Sequence, residues 1–214
     1  MRGRCVAGLR ADGAGWVRPV APETNHGQLF SRHFQLDDRS EPRALDLISL
    51  NLVQAQPAAG QPENWVIGKE RWKLKARPLG PDLHSRLREA IAKGPLLLGS
   101  TQTRVSAAES LQLTASLALV QPANLQGYLK REPYQLPQPR VLFGLDTQKY
   151  DLPFTDPAWA ARIIRNLSAE EPASPGQKLG ISNHSPVLLT VSLSEPFNGY
   201  CYKLAAAIVE IPGF

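Results

Sequence analysis

The residues best suited to chemistry lie in one short run, Lys69-Glu70-Arg71-Trp72-Lys73-Leu74-Lys75-Ala76-Arg77. Successive side chains of an extended strand point to opposite faces. Read as a strand, the run puts Trp72, Leu74 and Ala76 on one face. Arg71, Lys73, Lys75 and Arg77 fall on the other, and Lys69 continues their phase. At a rise of about 3.3 Å per residue, neighbouring cations stand about 6.6 Å apart. That is close to the phosphate spacing of an extended nucleic-acid strand. Like charges in a row repel, and a polyanion relieves that cost. The competing use of such a run is an edge strand that carries Lys to block aggregation.

Two further groups have the right residue types for the same ligand. Trp16 and Arg18 are two apart, so on a strand they share a face. Together they could stack a base and hold a phosphate. Pro19 biases Arg18 to an extended backbone. The plainer reading puts Trp16 in the core and pairs Arg18 with an acid such as Asp46. The other group is Phe197-Asn198-Gly199-Tyr200, where Asn198 and Gly199 can supply the positive φ of a tight turn. Beyond it Tyr200, Tyr202 and Leu204 share one face, and Cys201 and Lys203 the other. Tyr200 and Tyr202 are candidates for stacking, with Asn198 and Lys203 as candidate contacts beside them. The plainer reading is a turn followed by packing tyrosines.

Catalytic patterns are sparse. His26, His33, His84 and His184 are scattered. His26 and His33 with Asp37 and Asp38 fit no helix or strand template for a metal. No nucleophile elbow, phosphate-binding Gly loop or dinucleotide fingerprint occurs in the chain. Asp46, Glu63 and Asp146 could serve a metal-dependent nuclease, but they are single carboxylates far apart in sequence. The expectation is a protein with no catalytic residues, no metal and no cofactor. A nuclease or nucleic-acid-modifying enzyme is one rival reading. A protein-interaction module docking a larger effector is the other.

The elements that must position these residues are short. The 214 residues include 19 prolines and 16 glycines, spread throughout, and proline at that frequency interrupts long helices. Arg4 to Leu9, a Gly-rich turn at Asp12-Gly13-Ala14-Gly15, and Trp16 to Val20 read as a hairpin. Residues 21–43 read as a polar excursion loop. Leu45 to Gln54 reads as a long strand whose apolar phase changes between Leu47 and Ile48, as at a β-bulge. Trp65 to Ile67 and Glu70 to Arg77 follow as strands. Residues 81–93 form the best helix, with Pro81 in its first turn, Leu83, Leu87 and Ile91 on one stripe, and Gly94 beyond its end.

In the second half, Leu111 to Val120 reads as a strand. Arg140 to Leu145 and Gln148 to Leu152 flank a turn at Asp146. Asp156-Pro157 opens a helix. Pro172, Pro175 and Gly176 mark a loop in 168–186. Val187, Leu189, Val191 and Leu193 alternate with polar residues, and Tyr200 to Ile211 is a last long strand. Each half thus holds several strands and one helix in a similar order. Two small barrels are expected, over residues 1–100 and 101–214.

Composition sets the outer limits. Hydrophobic residues make 43% and charged residues 20%, which suits a folded soluble chain. No apolar run reaches the roughly 18–20 residues of a membrane helix, and the start is too short in apolar length for a signal peptide. A cytoplasmic protein without membrane contact is expected. Two cysteines, Cys5 and Cys201, make no disulfide framework and are expected to be buried. Net charge is +5. Residues 1–107 carry 16 Lys and Arg against 10 Asp and Glu, and residues 108–214 carry 8 against 9. A polyanion should therefore meet the N-terminal half first.

Three segments also resemble a known family. Arg4-Cys5-Val6-Ala7-Gly8 with Gly15-Trp16-Val17-Arg18-Pro19-Val20, then Gln61-Pro62-Glu63-Asn64-Trp65, then Glu195-Pro196-Phe197-Asn198-Gly199-Tyr200-Cys201-Tyr202-Lys203-Leu204 are similar, in this order, to the signatures of the dual OB-containing domain family. The resemblance implies a mainly β protein with a few short helices, built as two OB-like barrels in tandem. It also implies a nucleic-acid role in prokaryotic defence or conflict systems, with single strands preferred over duplex by OB analogy; a co-encoded effector protein is the partner that the protein-interaction reading expects.

Overall fold

The computed structural model describes residues 3–24, 27–58, 60–133, 136–166, 186–211 and 214. The chain divides into two compact units, Met1–Ala90 and Ile91–Phe214. Among the described residues it is mainly β with four short helices, as two OB-like barrels in tandem require. No helix among these residues is long and apolar enough to cross a membrane.

In the first unit, β1 (Gly8–Leu9) and β2 (Trp16–Val20) form the expected hairpin. β3 spans Leu47–Ser49, β4 Leu52–Ala55, β5 Asn64–Ile67 and β6 Lys73–Ala76. One sheet has the order β1-β2-β5-β4, and β3 and β6 pair as a second. β2 and β5 run parallel, with Arg18 opposite Asn64. The single strand expected over Leu45–Gln54 is two strands in different sheets. The chain turns at Leu45, which has φ 70°. The register against β6 does shift between Leu47 and Ile48, but the extra residue is Lys75 of β6 and not one of the Leu45–Gln54 segment: Leu47 faces Ala76 and Ile48 faces Leu74. The 21–43 excursion holds a one-turn helix, α1 (Ser31–Phe34), which buries Phe34. Phe34, Leu29, Leu36, Ala21 and Trp72 make the core, and Ile48, Leu50 and Leu74 pack against it. α2 (Pro81–Ala90) starts at Pro81 as expected and stops before Ile91.

Ile91 and Ala92 join the second unit. Ile91 bridges Leu119, and the Ala92 N–H donates to Leu119 O at 2.8 Å. β7 (Arg104–Ser106) leads into α3 (Ala107–Ser110) through a capping box between Ser106 and Glu109. Leu111 caps α3, so the strand expected over Leu111–Val120 is reduced to β8 (Leu117–Val120). β9 (Ala123–Lys130), β10 (Gln138–Leu145) and β11 (Gln148–Pro153) form a three-stranded sheet in the order β11-β10-β9. The β10–β11 turn holds Asp146 at φ 53°.

α4 (Pro157–Asn166) is capped by Asp156, whose Oδ1 accepts from the N–H groups of Ala158 and Trp159 at 2.9 and 3.2 Å. β12 (Val187–Leu193) and β13 (Tyr200–Glu210) lie between β7 and β8, in the order β7-β13-β12-β8. The Thr155 N–H donates to Ala205 O at 2.9 Å and ties the end of β11 to β13. Val120, Val141, Phe143, Tyr150, Leu152, Leu189 and Val191 fill the interior, with Ile163 of α4. Cys201 is buried as expected; Cys5 is exposed, contrary to expectation. The Pro172–Gly176 loop, His26 and His184 lie outside the described residues.

Candidate functional site

β6 carries the cation row on a strand that is anchored from behind. Trp72, next to it, is 3% exposed and meets Phe34 with ring centroids 6.2 Å apart. Leu74 packs on the same cluster. β3 holds the strand from one side, with Ser49 opposite Lys73 and Ile48 opposite Leu74. Lys73 and Lys75 are exposed, Lys75 as the extra residue that β6 carries where its register against β3 shifts. Ala76, expected on the inner face with Trp72 and Leu74, is exposed too, and so are Lys69, Arg71 and Arg77, which lie outside the four residues of β6. Arg77 Nε donates to Asp46 Oδ1 at 3.2 Å. Among the described residues no ion pair engages Lys69, Arg71, Lys73 or Lys75. Repulsion between unit charges about 6.6 Å apart in water is about 0.6 kcal/mol per neighbouring pair. The fold carries that cost easily, and an anion removes it.

Arg18 departs from expectation. It is 6% exposed, and its NH2 lies 3.3 Å from Glu63 Oε1, with both side chains buried. The reason is topological. Parallel pairing with β5 makes β2 an inner strand, and Glu63 enters beside it. Arg18 pairs with an acid, as the plainer reading held, but the acid is Glu63 rather than Asp46. Arg18 is thereby withdrawn from the set that can meet a phosphate. The Gln61-Pro62-Glu63-Asn64 run is a buried polar joint: Gln61, Glu63 and Asn64 are all buried, and Asn64 Nδ2 donates to Gln61 Oε1 at 3.1 Å. Trp16 sits opposite Leu9 and is half-buried.

In the second unit the Asn198-Gly199 turn closes the hairpin as its sequence requires. Phe197 and Tyr200 exchange both backbone bonds, at 2.8 and 3.1 Å. Asn198 and Gly199 have φ 49° and 79°, the pair of positive values a two-residue turn of this kind needs. The faces of β13 also follow the alternation. Tyr200 is 37% exposed and Tyr202 half-buried, whereas Cys201 and Lys203 are fully buried.

Lys203 is therefore a correction. Its Nζ donates to Ser100 O at 2.7 Å, Ser100 Oγ at 3.2 Å and Gln102 O at 2.6 Å, and stands 5.4 Å from the Tyr150 ring centroid. All three ammonium hydrogens have acceptors, so the side chain holds the 100–102 segment and faces no ligand. Burial pushes the ammonium down from 10.5 to about 8. A contact unseen in the sequence appears on the outer face: the Arg104 guanidinium carbon lies 4.0 Å from the Tyr200 ring centroid. β7 brings Arg104 opposite Tyr202. Its signal in the sequence was a single Arg, with nothing to mark the partner strand.

The carboxylates and histidines considered for catalysis have other employment. Asp46 accepts from the Arg43 N–H at 3.0 Å as well as from Arg77. Glu63 faces Arg18, and Asp146 occupies a turn of the other unit. His33 Nδ1 accepts from the Phe30 N–H at 3.0 Å, and its Nε2 lies 2.9 Å from Glu23 Oε1. Asp38 accepts from Ser40. Among the described residues no group of His, Cys, Asp and Glu is arranged to hold a metal ion.

A family model, that of the dual OB-containing domain, matches residues 1–208. No curated protein and no solved structure matches the chain.

Proposed function

The chain belongs to the dual OB-containing domain family, and from that premise we propose that it binds nucleic acid without transforming it, through the outward face of β6. One observation carries the reading: Lys73 and Lys75 stand exposed on β6, and Arg71 stands exposed two residues before it, next to the buried Trp72 and to Leu74 that anchor the segment. The backbone of this segment is held before binding, so the cost of contacting successive phosphates is the ordering of the Lys and Arg side chains alone. Lys69 and Arg77 flank the contact, and Trp16, Tyr200 and Tyr202 are the aromatic residues available for stacking. The preferred ligand is a single strand, bound in the cytoplasm beside a co-encoded effector in prokaryotic defence. Family membership supports an OB-fold module suited to nucleic acid, and the single strand is preferred by OB analogy.

The test is a titration of a labelled single-stranded oligonucleotide over a range of salt. Three phosphate contacts predict a log–log slope of about −2, at about −0.7 per contact. The double variant Lys73→Glu/Lys75→Glu should lose most of the affinity and of the slope. An unchanged slope removes β6 from the interface.

A further inference from the structure

We propose that Arg104 and Tyr200 form a seat for one unpaired nucleobase on the second unit, with the Arg104 guanidinium as its stacking surface. The inference rests on the nucleic-acid reading above and specifies which ligands it favours.

The argument starts from the Asn198-Gly199 turn. That turn fixes the start of β13, and the pairing of Tyr200 with Ser106 and Tyr202 with Arg104 fixes β7 beside it. Tyr200 is thus held on backbone with little freedom. Its ring receives the guanidinium at 4.0 Å, a distance at which cation–π attraction is strong. An Arg side chain normally loses much rotamer freedom when it binds. Here the ring has already set its position.

Arg104 is exposed, and no acid among the described residues takes it in an ion pair. Glu109, on the following helix, is committed to the Ser106 N–H and hydroxyl at 2.9 and 2.7 Å. Among the described residues, nothing else balances the guanidinium's charge or takes its N–H edge. Phe197, at the other side of the turn, is 65% exposed, and Tyr202 lies opposite Arg104. Two rings and a planar cation at one hairpin end match the π-face of a base together with the phosphate attached to it. A paired base buries its faces in the duplex stack, so the seat selects single strands.

Arg104→Lys separates planarity from charge, because an ammonium keeps the charge and loses the flat stacking surface. The probes are an oligothymidylate and a mixed-sequence duplex of equal length, titrated against the full chain at several salt concentrations. Arg104→Lys and Tyr200→Leu should each weaken oligothymidylate binding about tenfold, from one lost stack. Duplex affinity should stay within about twofold. The salt slope of Arg104→Lys should not move.

Wild-type oligothymidylate affinity in both variants, with the slope intact, overturns the seat and leaves the β6 reading standing. An equal loss on both probes also overturns it, since a general charge or fold defect then explains the effect. Absence of oligonucleotide binding by the wild type defeats both readings together.

Discussion

Arg77 Nε meets the Asp46 carboxylate at 3.2 Å, and with that contact the last cation of the β6 row is neutralised where the others are not. The Asp46 side chain is 3% exposed and also accepts from the Arg43 N–H. It belongs to the turn before β3, so the contact ties the two strands of the small sheet at one end.

Asp46→Asn removes the charge and leaves one acceptor oxygen where the carboxylate served both Arg77 and the Arg43 N–H. One of the two bonds is lost at a buried side chain, so stability should fall by about 1–3 kcal/mol. Oligonucleotide binding should strengthen, with a slope steeper by about 0.7 as a further phosphate contact becomes available. Salt-series titrations of wild type and variant, paired with thermal melts, read both. A flatter slope would show that Asp46 presents Arg77 to the ligand.

The buried Arg18–Glu63 pair predicts a strong asymmetry. Arg18→Met leaves a carboxylate buried without its cation and should cost about 3–5 kcal/mol, a large share of an ordinary domain's stability. The double variant Arg18→Met/Glu63→Leu should recover most of it, because two apolar side chains of similar volume need no compensation. Urea unfolding of the three proteins checks this. A double variant as weak as the single one would mean that the joint works through other contacts of these residues.

Lys203 predicts a pH dependence with a definite sign. Its folded value is about 8, against 10.5 for an ordinary lysine. Between these values the unfolded chain holds the proton more tightly, so stability from this group rises as pH rises through that window. Lys203→Met removes the titration and leaves the Ser100 and Gln102 carbonyls without their donor, a loss of about 1–3 kcal/mol at pH 7. Urea melts at pH 7, 8.5 and 10 should show the wild type gaining on Lys203→Met with pH. A wild type that loses ground instead would mean that its three hydrogen bonds outweigh burial and hold the proton.

Much of this architecture can be read from local pattern. The alternation of β12, the Asn198-Gly199 turn and the Asp156 cap each depend on a few adjacent residues, and each has its counterpart in the structure. The cation row on β6 was legible only in part: Trp72 is inward and Lys73 outward as period two requires, but the extra residue at Lys75 breaks the alternation, Ala76 is exposed, and the strand ends before Arg77.

What was illegible depended on segments far apart. Arg18 looked like a surface cation until β5 came alongside and supplied Glu63, 45 positions on. Alternation puts Lys203 on the Cys201 face of β13, where the structure has it. That this face is the inside, with acceptors from residues 100–102, followed from packing that no local pattern encodes. Arg104 had no visible partner until β7 joined β13.

The parallel pairing of β2 with β5 also dictates an order of events during synthesis. A hairpin can form while it leaves the ribosome, but β2 must wait as an open edge until the Asn64 segment has emerged. Closing a loop of that length costs about 3 kcal/mol of chain entropy, and nothing within β1 and β2 repays it. The segment from β1 to β4 should therefore stay unfolded, and exposed to chaperones and proteases, until the Asn64 segment has emerged.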